Sequence, residues 1–293
     1  MTPPAQERPR PAILLSFFYH QTTNMDEFRV PSTGALVDLM ADSGAFSAHS
    51  LGKEVRLEDY MAWADQWKGH FKHFIALDVI GDHEGSLANL DIFRREMPKL
   101  SILPVWHIDE PWEVLDHYLD TSEYVCIGGM ASNRFGADNV MRACLKAHQR
   151  ARAKGVKLHG LGQTRWDQLT SLPWHSVDSS SWTSGARYGM TVVWDEKAKK
   201  TRQIQCGTRG AHRWGAWLRD HGFDPKVLTL REGFDYKTAV DCSAWTFHKL
   251  EAYLAQRWQN PDFNLYFATS PPEFGRRAVR VIDRLHTEKG PCL

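Results

Sequence analysis

Eight short apolar runs, most of them followed by a segment with helical periodicity, constrain this chain more than any other feature. The runs are AILLSFFY (Ala12 to Tyr19), ALVDLMAD (Ala35 to Asp42), HFIALDVI (His73 to Ile80), SILPVWH (Ser101 to His107), YVCIGG (Tyr124 to Gly129), VKLHGLG (Val156 to Gly162), HSVDSS (His175 to Ser180) and LYFATS (Leu265 to Ser270). Runs of this length bounded by turn residues read as buried strands. Between them, Leu57, Tyr60, Met61, Ala64 and Trp67 share one helical face, PWEVLDHYLD opens on a proline suited to a first turn, and ADNVMRACLKAHQRARAKG closes on Gly155 as a C-cap. Strands that alternate with helices pair in parallel, and eight such units make a (β/α)8 barrel. An open doubly wound sheet is the alternative, but no GxGxxG follows the first run.

The rhythm is broken once, between Met190 and about Pro261, where TVVWDEKAKKTRQIQ reads as a hairpin followed by helices. The expectation is an insertion before the last strand, an elaboration of the barrel rather than a second domain. Residues 1–11 read as a short disordered lead-in and residues 12–293 as a single barrel domain.

Composition narrows the function. A length of 293 residues and a hydrophobic share of 42% suit one soluble barrel with a large core. The net charge of +1 gives no global field, so any nucleic-acid contact depends on local patches. The candidates are HQRARAKGVK and EKAKKTRQ with Arg209 and Arg213, whose ordinary reading is a solvated helix end and a hairpin tip. The five cysteines are scattered without a CxxC, which offers neither a disulfide framework nor a compact zinc site and points to a reducing, cytoplasmic setting. The N-terminal apolar run is too short for a membrane span and its flanks fit no signal peptide.

In a barrel, chemistry collects where strands end at their C-terminal side. The polar residues there are Asp42 with Ser43 and Gly44, then Asp78, His107, Gly128 with Gly129, Gly160 with Gly162, and Asp178. Two or three carboxylates around one mouth suit glycosidic-bond cleavage: one attacks the anomeric carbon while another moves a proton, and both stabilise a cationic transition state. The adjacent glycines let a flat heterocycle approach the backbone. Two other groupings read blandly. GDHEG (Gly81 to Gly85) places its acidic and His residues in a row, as a helix cap does, and His49, His107, His159 and His175 show no metal-ligand spacing.

Four ordered segments resemble the tRNA-guanine transglycosylases. DSGAF (Asp42 to Phe46) is similar to that family's DSGGFQ, CIGGMAS (Cys126 to Ser132) to its IGGLAVG, and HGLGQTRWDQL followed by SVDSSSWTSGARYG to its GVG stretch and nucleophile segment. The likeness spans about Ala35 to Gly189. It implies that Asp178 is the nucleophile attacking C1′ of a target guanosine and that Asp42 is the general acid/base. It also implies that Ser43, Asp78, His107, Gly128, Gly129, Met130 and Arg187 form the substrate-binding set. Ala45, Ser47, Trp182 and Ser184 depart from the family pattern. Where the tRNA enzymes carry a CxCxxC and a distant His for structural zinc, this chain keeps only Cys206 and Cys242.

A barrel without that zinc subdomain resembles the DpdA-like DNA-guanine transglycosylases, of phage type. The implied partners are DNA, with tRNA as the alternative, and a 7-deazaguanine base such as 7-cyano-7-deazaguanine. No redox cofactor or metal is implied, and a homodimer or an accessory protein is compatible with the reading. In a phage the modified base would shield DNA from restriction in the host cytoplasm. Trp182 or Trp106 would stack beside an extruded base. The rival readings are a zinc-less tRNA enzyme and a non-catalytic nucleic-acid-binding subunit.

Overall fold

The structure, a computed structural model, describes residues 11–130, 135–229 and 234–289. Residues 1–10 of the expected lead-in, and Ala131 and Ser132 of the CIGGMAS segment, lie outside the described residues. The strand segments are β1 Ala12–Ser16, β2 Asp38–Asp42, β3 Phe71–Ile75, β4 Ile102–Leu103, β5 Val105–His107, β6 Tyr124–Gly128, β7 Lys157–Gly160, β8 Ser176–Ser179, β9 Met190–Asp195, β10 Lys200–Gln205 and β11 Asn264–Thr269. All but β9 and β10 join one parallel sheet in the order β4-β3-β2-β1-β11-β8-β7-β6-β5. The two ends of that order are halves of one strand, SILPVWH. Pro104 divides it because a proline has no N–H to give a ladder, while its carbonyl still accepts from Cys126 N at 2.8 Å. The sheet therefore returns on itself as the eight-stranded α/β barrel, a TIM-barrel-like fold.

Strand alternation sorts the side chains into two layers. Leu14, Met40, Ile75, Val105, Cys126 and Tyr266 pack inside the barrel. Ile13, Leu39, Phe74, Ile127 and Phe267 face the helices. The first apolar run outlasts its strand: Phe17–His20 is a helical turn, and Phe17 packs on Tyr60 and Trp63 of helix Leu57–Trp67 at ring distances of 5.5 and 5.7 Å. Helix Ala137–Lys154 stops at Gly155, which adopts φ +70 and donates its N–H to Arg152 O. In GDHEG, Asp82 caps helix His83–Glu96 by accepting from Gly85 N at 3.0 Å.

Between β8 and β11 the chain makes the hairpin β9/β10 and then helix Tyr236–Arg257, the crossover to the last strand. The hairpin docks on that helix through Thr191 Oγ1 to Ala239 O (2.9 Å) and Thr246 Oγ1 to Val192 O (3.0 Å). No helix among the described residues is long and apolar enough to cross a membrane.

Neither tryptophan expected to stack on a base is placed to do so. Trp182 is 0% exposed, packs edge-on to Phe267, and donates its indole N–H to Ala268 O at 3.0 Å. Trp106 is equally buried against Trp112 and donates to Pro111 O. Trp106 faces the helices because odd and even strand positions are committed to opposite layers and it falls one residue before His107, while Trp182 lies past the strand in the helical turn Ser181–Ser184.

Candidate active site

The inner register places the polar residues. Leu14, Met40, Val105 and Cys126 point into the barrel, so Ser16, Asp42, His107 and Gly128, two residues further on, face the same interior at the C-terminal mouth. Asp178 on β8 and Asp78, three residues past the end of β3, complete the arrangement. Asp42 accepts from Gly44 N at 3.0 Å. Burial, followed by the negative charges of Asp78 and Asp178, pushes its carboxyl up from 3.8 to about 7, against the opposing hydrogen bond of Gly44. The three carboxylates expected to converge do so electrostatically, and Asp42 holds its proton into the neutral range.

Asp178 is almost buried and takes two donors on one oxygen. Gly162 N reaches Oδ1 at 2.8 Å and His159 Nε2 lies 3.3 Å from the same atom. Oδ2 takes no hydrogen bond from any described residue. Gly44, at φ +83, turns the chain sharply after Asp42; a side chain there would run into Ser16 and Phe18.

His107 bridges two acids. Its Nε2 lies 3.2 Å from Asp78 Oδ2 and its Nδ1 3.2 Å from Glu110 Oε1, while Glu110 Oε2 accepts from the His107 backbone N–H. Burial opposes charge on this ring, but the hydrogen bonds and charges of Asp78 and Glu110 outweigh it and raise the imidazole to about 10. His107 is therefore cationic at neutral pH, and it holds Asp78 by Oδ2. Glu110 was not singled out from the sequence; its signal is the i, i+3 spacing from His107 in HIDE.

Gly128 is the floor on which His107 lies. A methyl there would sit 2.7 Å from His107 Cδ2 and 2.9 Å from Nε2. Gly128→Ala is expected to lift the imidazole off Asp78 and to lower stability by about 1–3 kcal/mol in thermal denaturation. Gly129, at φ +77, follows it on the rim.

The remaining expected residues are Ser43, Met130 and Arg187. Ser43 is fully buried and its hydroxyl accepts from Ala45 N. The Met130 side chain packs behind the mouth, its sulfur 3.4 Å from Cys144 Sγ and 3.3 Å from Gln163 Nε2. Arg187 is exposed on the turn Gly185–Tyr188. Two exposed aromatics lie in segments that leave the C-terminal ends of site-bearing strands, at positions not anticipated from the sequence. Phe46 (71% exposed) follows Asp42 and Tyr188 (72% exposed) follows Asp178, each in the segment leaving a strand that carries a carboxylate.

A cleft of about 460 Å³ opens at the opposite, N-terminal end of the strands, among His73, Tyr124, Lys157 and His175, away from the carboxylates. No group of three or more His, Cys, Asp or Glu among the described residues is placed to hold a metal ion. Cys126 is a buried member of the inner apolar layer. Comparison with known proteins gives no match to any family model and none to any curated protein.

Proposed function

We propose that this barrel is a glycosyl-transfer enzyme working by double displacement at the mouth formed by Asp42, Asp78 and Asp178. More specifically, we propose a DNA-guanine transglycosylase that exchanges guanine for a 7-deazaguanine base. The observation that carries the reading is the division of labour between two carboxyls on one mouth: Asp42 is raised to about 7, the range a general acid/base needs, while Asp178 has one oxygen to which no described residue donates a hydrogen bond.

In the first half-reaction Asp178 Oδ2 bonds to C1′, the C1′–N9 bond breaks, and its electron pair leaves with guanine as Asp42 delivers a proton. In the second, the incoming base attacks C1′, the ester bond breaks, and Asp42 takes the proton from the new base. Asp78, steadied by His107, accepts from the purine edge. Gly128 leaves room for the His107 imidazole that steadies Asp78, and Gly129 carries the backbone on past it at the rim. The resemblance over Ala35 to Gly189 supplies the substrate, and the exposed aromatics Phe46 and Tyr188 support a ligand with flat, unpaired bases.

The test is base exchange: purified protein, labelled guanine or 7-cyano-7-deazaguanine, and either DNA or unmodified tRNA. Label entering DNA alone supports the proposal, label entering tRNA moves the protein to the tRNA-acting reading, and label entering neither overturns exchange. Phe46→Ala and Tyr188→Ala are each expected to weaken nucleic-acid binding by about 1–3 kcal/mol, the worth of one stacked base. Trp182→Phe is expected to lower stability by about 1–2 kcal/mol through the lost indole bond and to leave that affinity unchanged. Filter binding and thermal melts separate the two roles.

A further inference from the structure

Behind Asp178 the barrel interior holds polar side chains to which the reaction above assigns no role. His159, on β7, is 0% exposed. It is paired in register with Ser176 of β8. Its Nδ1 lies 2.5 Å from Ser176 Oγ, and that hydroxyl is hydrogen-bonded in turn to the Tyr124 hydroxyl from β6. Its Nε2 faces Asp178 Oδ1. Tyr124, Ser176, His159 and Asp178 thus form one buried chain across three neighbouring strands, ringed by apolar side chains such as Cys126 and Tyr266.

The direction of that chain is set at one end. A carboxylate acting as a nucleophile has only acceptor sites, so the ring nitrogen facing it must carry the hydrogen. Nδ1 is then a lone pair that accepts from Ser176, whose oxygen accepts from Tyr124. In this arrangement every buried N–H and O–H of the chain has an acceptor; reversing it would set a lone pair against Oδ1. With Gly162 N–H on the same oxygen, Oδ1 is held from two sides, while Oδ2 takes no hydrogen bond from any described residue.

We propose that His159, locked as its Nε2–H tautomer by Ser176 and Tyr124, is a positioning residue that clamps Asp178 Oδ1 so that Oδ2 is the attacking atom. The proposal rests on the nucleophilic role assigned to Asp178. When Oδ2 bonds to C1′, Oδ1 becomes the ester carbonyl oxygen and keeps both donors. When the ester breaks, negative charge returns to a carboxylate already solvated by them, which favours its departure.

Two measurements test the clamp, one of them independent of any reaction. In ¹⁵N-histidine-labelled wild-type protein at neutral pH, the His159 ring, assigned by its absence in His159→Gln, is expected to show a protonated Nε2 and an unprotonated Nδ1, and its Nε2–H signal is expected to move in Asp178→Asn. A protonated Nδ1, whether Nε2 is bare or protonated, overturns the proposal whatever the protein transfers. In the exchange assay, His159→Leu is expected to lose about 100-fold in kcat with little change in KM, the cost of a misdirected reacting group. His159→Gln, whose amide N–H reaches the same place, is expected to recover most of it. Full activity in a folded His159→Leu overturns the clamp; should the Leu variant not fold, a His159→Gln variant without activity overturns it instead. If wild-type protein exchanges no base in any nucleic acid, the transglycosylase reading has failed and the tautomer measurement decides the clamp alone.

Discussion

Asp178→Asn is expected to abolish any covalent protein–nucleic acid adduct and to reduce base exchange by about 10⁴-fold or more, the scale on which removal of a nucleophile is felt. Asparagine is the informative replacement because it keeps the shape and the acceptor. Its carbonyl oxygen can receive Gly162 N–H and His159 Nε2–H as Oδ1 does, so the surroundings of the side chain persist. The amide nitrogen in place of Oδ2 has no lone pair available for attack on C1′. Stability should therefore change little while chemistry stops. Alanine would confound the two, since it leaves a buried His159 and a backbone N–H unpaired, at about 1–3 kcal/mol each. The measurement is retention of a labelled oligonucleotide on the protein in a denaturing gel, alongside label exchange. An Asp178→Asn protein that exchanges at the wild-type rate sinks the assignment of Asp178, and with it the double-displacement route.

Much of this geometry was legible before the fold was known, because strand polarity and side-chain alternation are properties of short local sequence. The eight runs locate eight strands, and their C-terminal ends carry Asp42, His107, Gly128 and Asp178, with Asp78 three residues beyond β3. The hairpin was legible from TVVWDEKAKKTRQIQ in the same way. What was hidden depends on partners from distant elements. His159 looks like a polar residue in an apolar strand until β8 brings Ser176 and Asp178 beside it, 17 and 19 positions away. Glu110 acquires a role only when His107 turns toward Asp78. Trp182 and Trp106 sit next to site residues in sequence but on the other face of their segments, so nearness along the chain was misleading. Phe46 and Tyr188 were hidden for the opposite reason: their residue type alone predicts burial. The substrate was never in the strand pattern; it enters only through the resemblance of four motifs.

Asp42→Asn is expected to stabilise the protein at pH 8 while costing activity, and that pairing separates a functional carboxyl from a structural cap. The sign follows from linkage. The folded-state value of about 7 lies above the ordinary 3.8, so the folded protein binds this proton more tightly than the unfolded chain between those limits. The contribution of Asp42 to stability is therefore full below about pH 4, declines as pH rises, and is lost above 7. A difference of roughly three pH units, at about 1.4 kcal/mol each, sets an upper scale on the order of 4 kcal/mol for the strain of holding Asp42 ionised beside Asp78 and Asp178. Asparagine carries no charge to desolvate, so denaturant melts should show its advantage growing between pH 5 and pH 8. An Asp42 that served only to accept from Gly44 N would give the opposite result, a variant equal or weaker at every pH. In the exchange assay the same variant should lose about 10²–10⁴-fold. Release of guanine by the wild type should fall through a limb centred near pH 7, as the proton Asp42 donates is lost, and the residual activity of Asp42→Asn should lack that limb. A stable variant that keeps both its rate and its pH dependence would move the acid/base role off Asp42. The carboxyl would then be one more negative charge at a mouth that needs its proton from elsewhere.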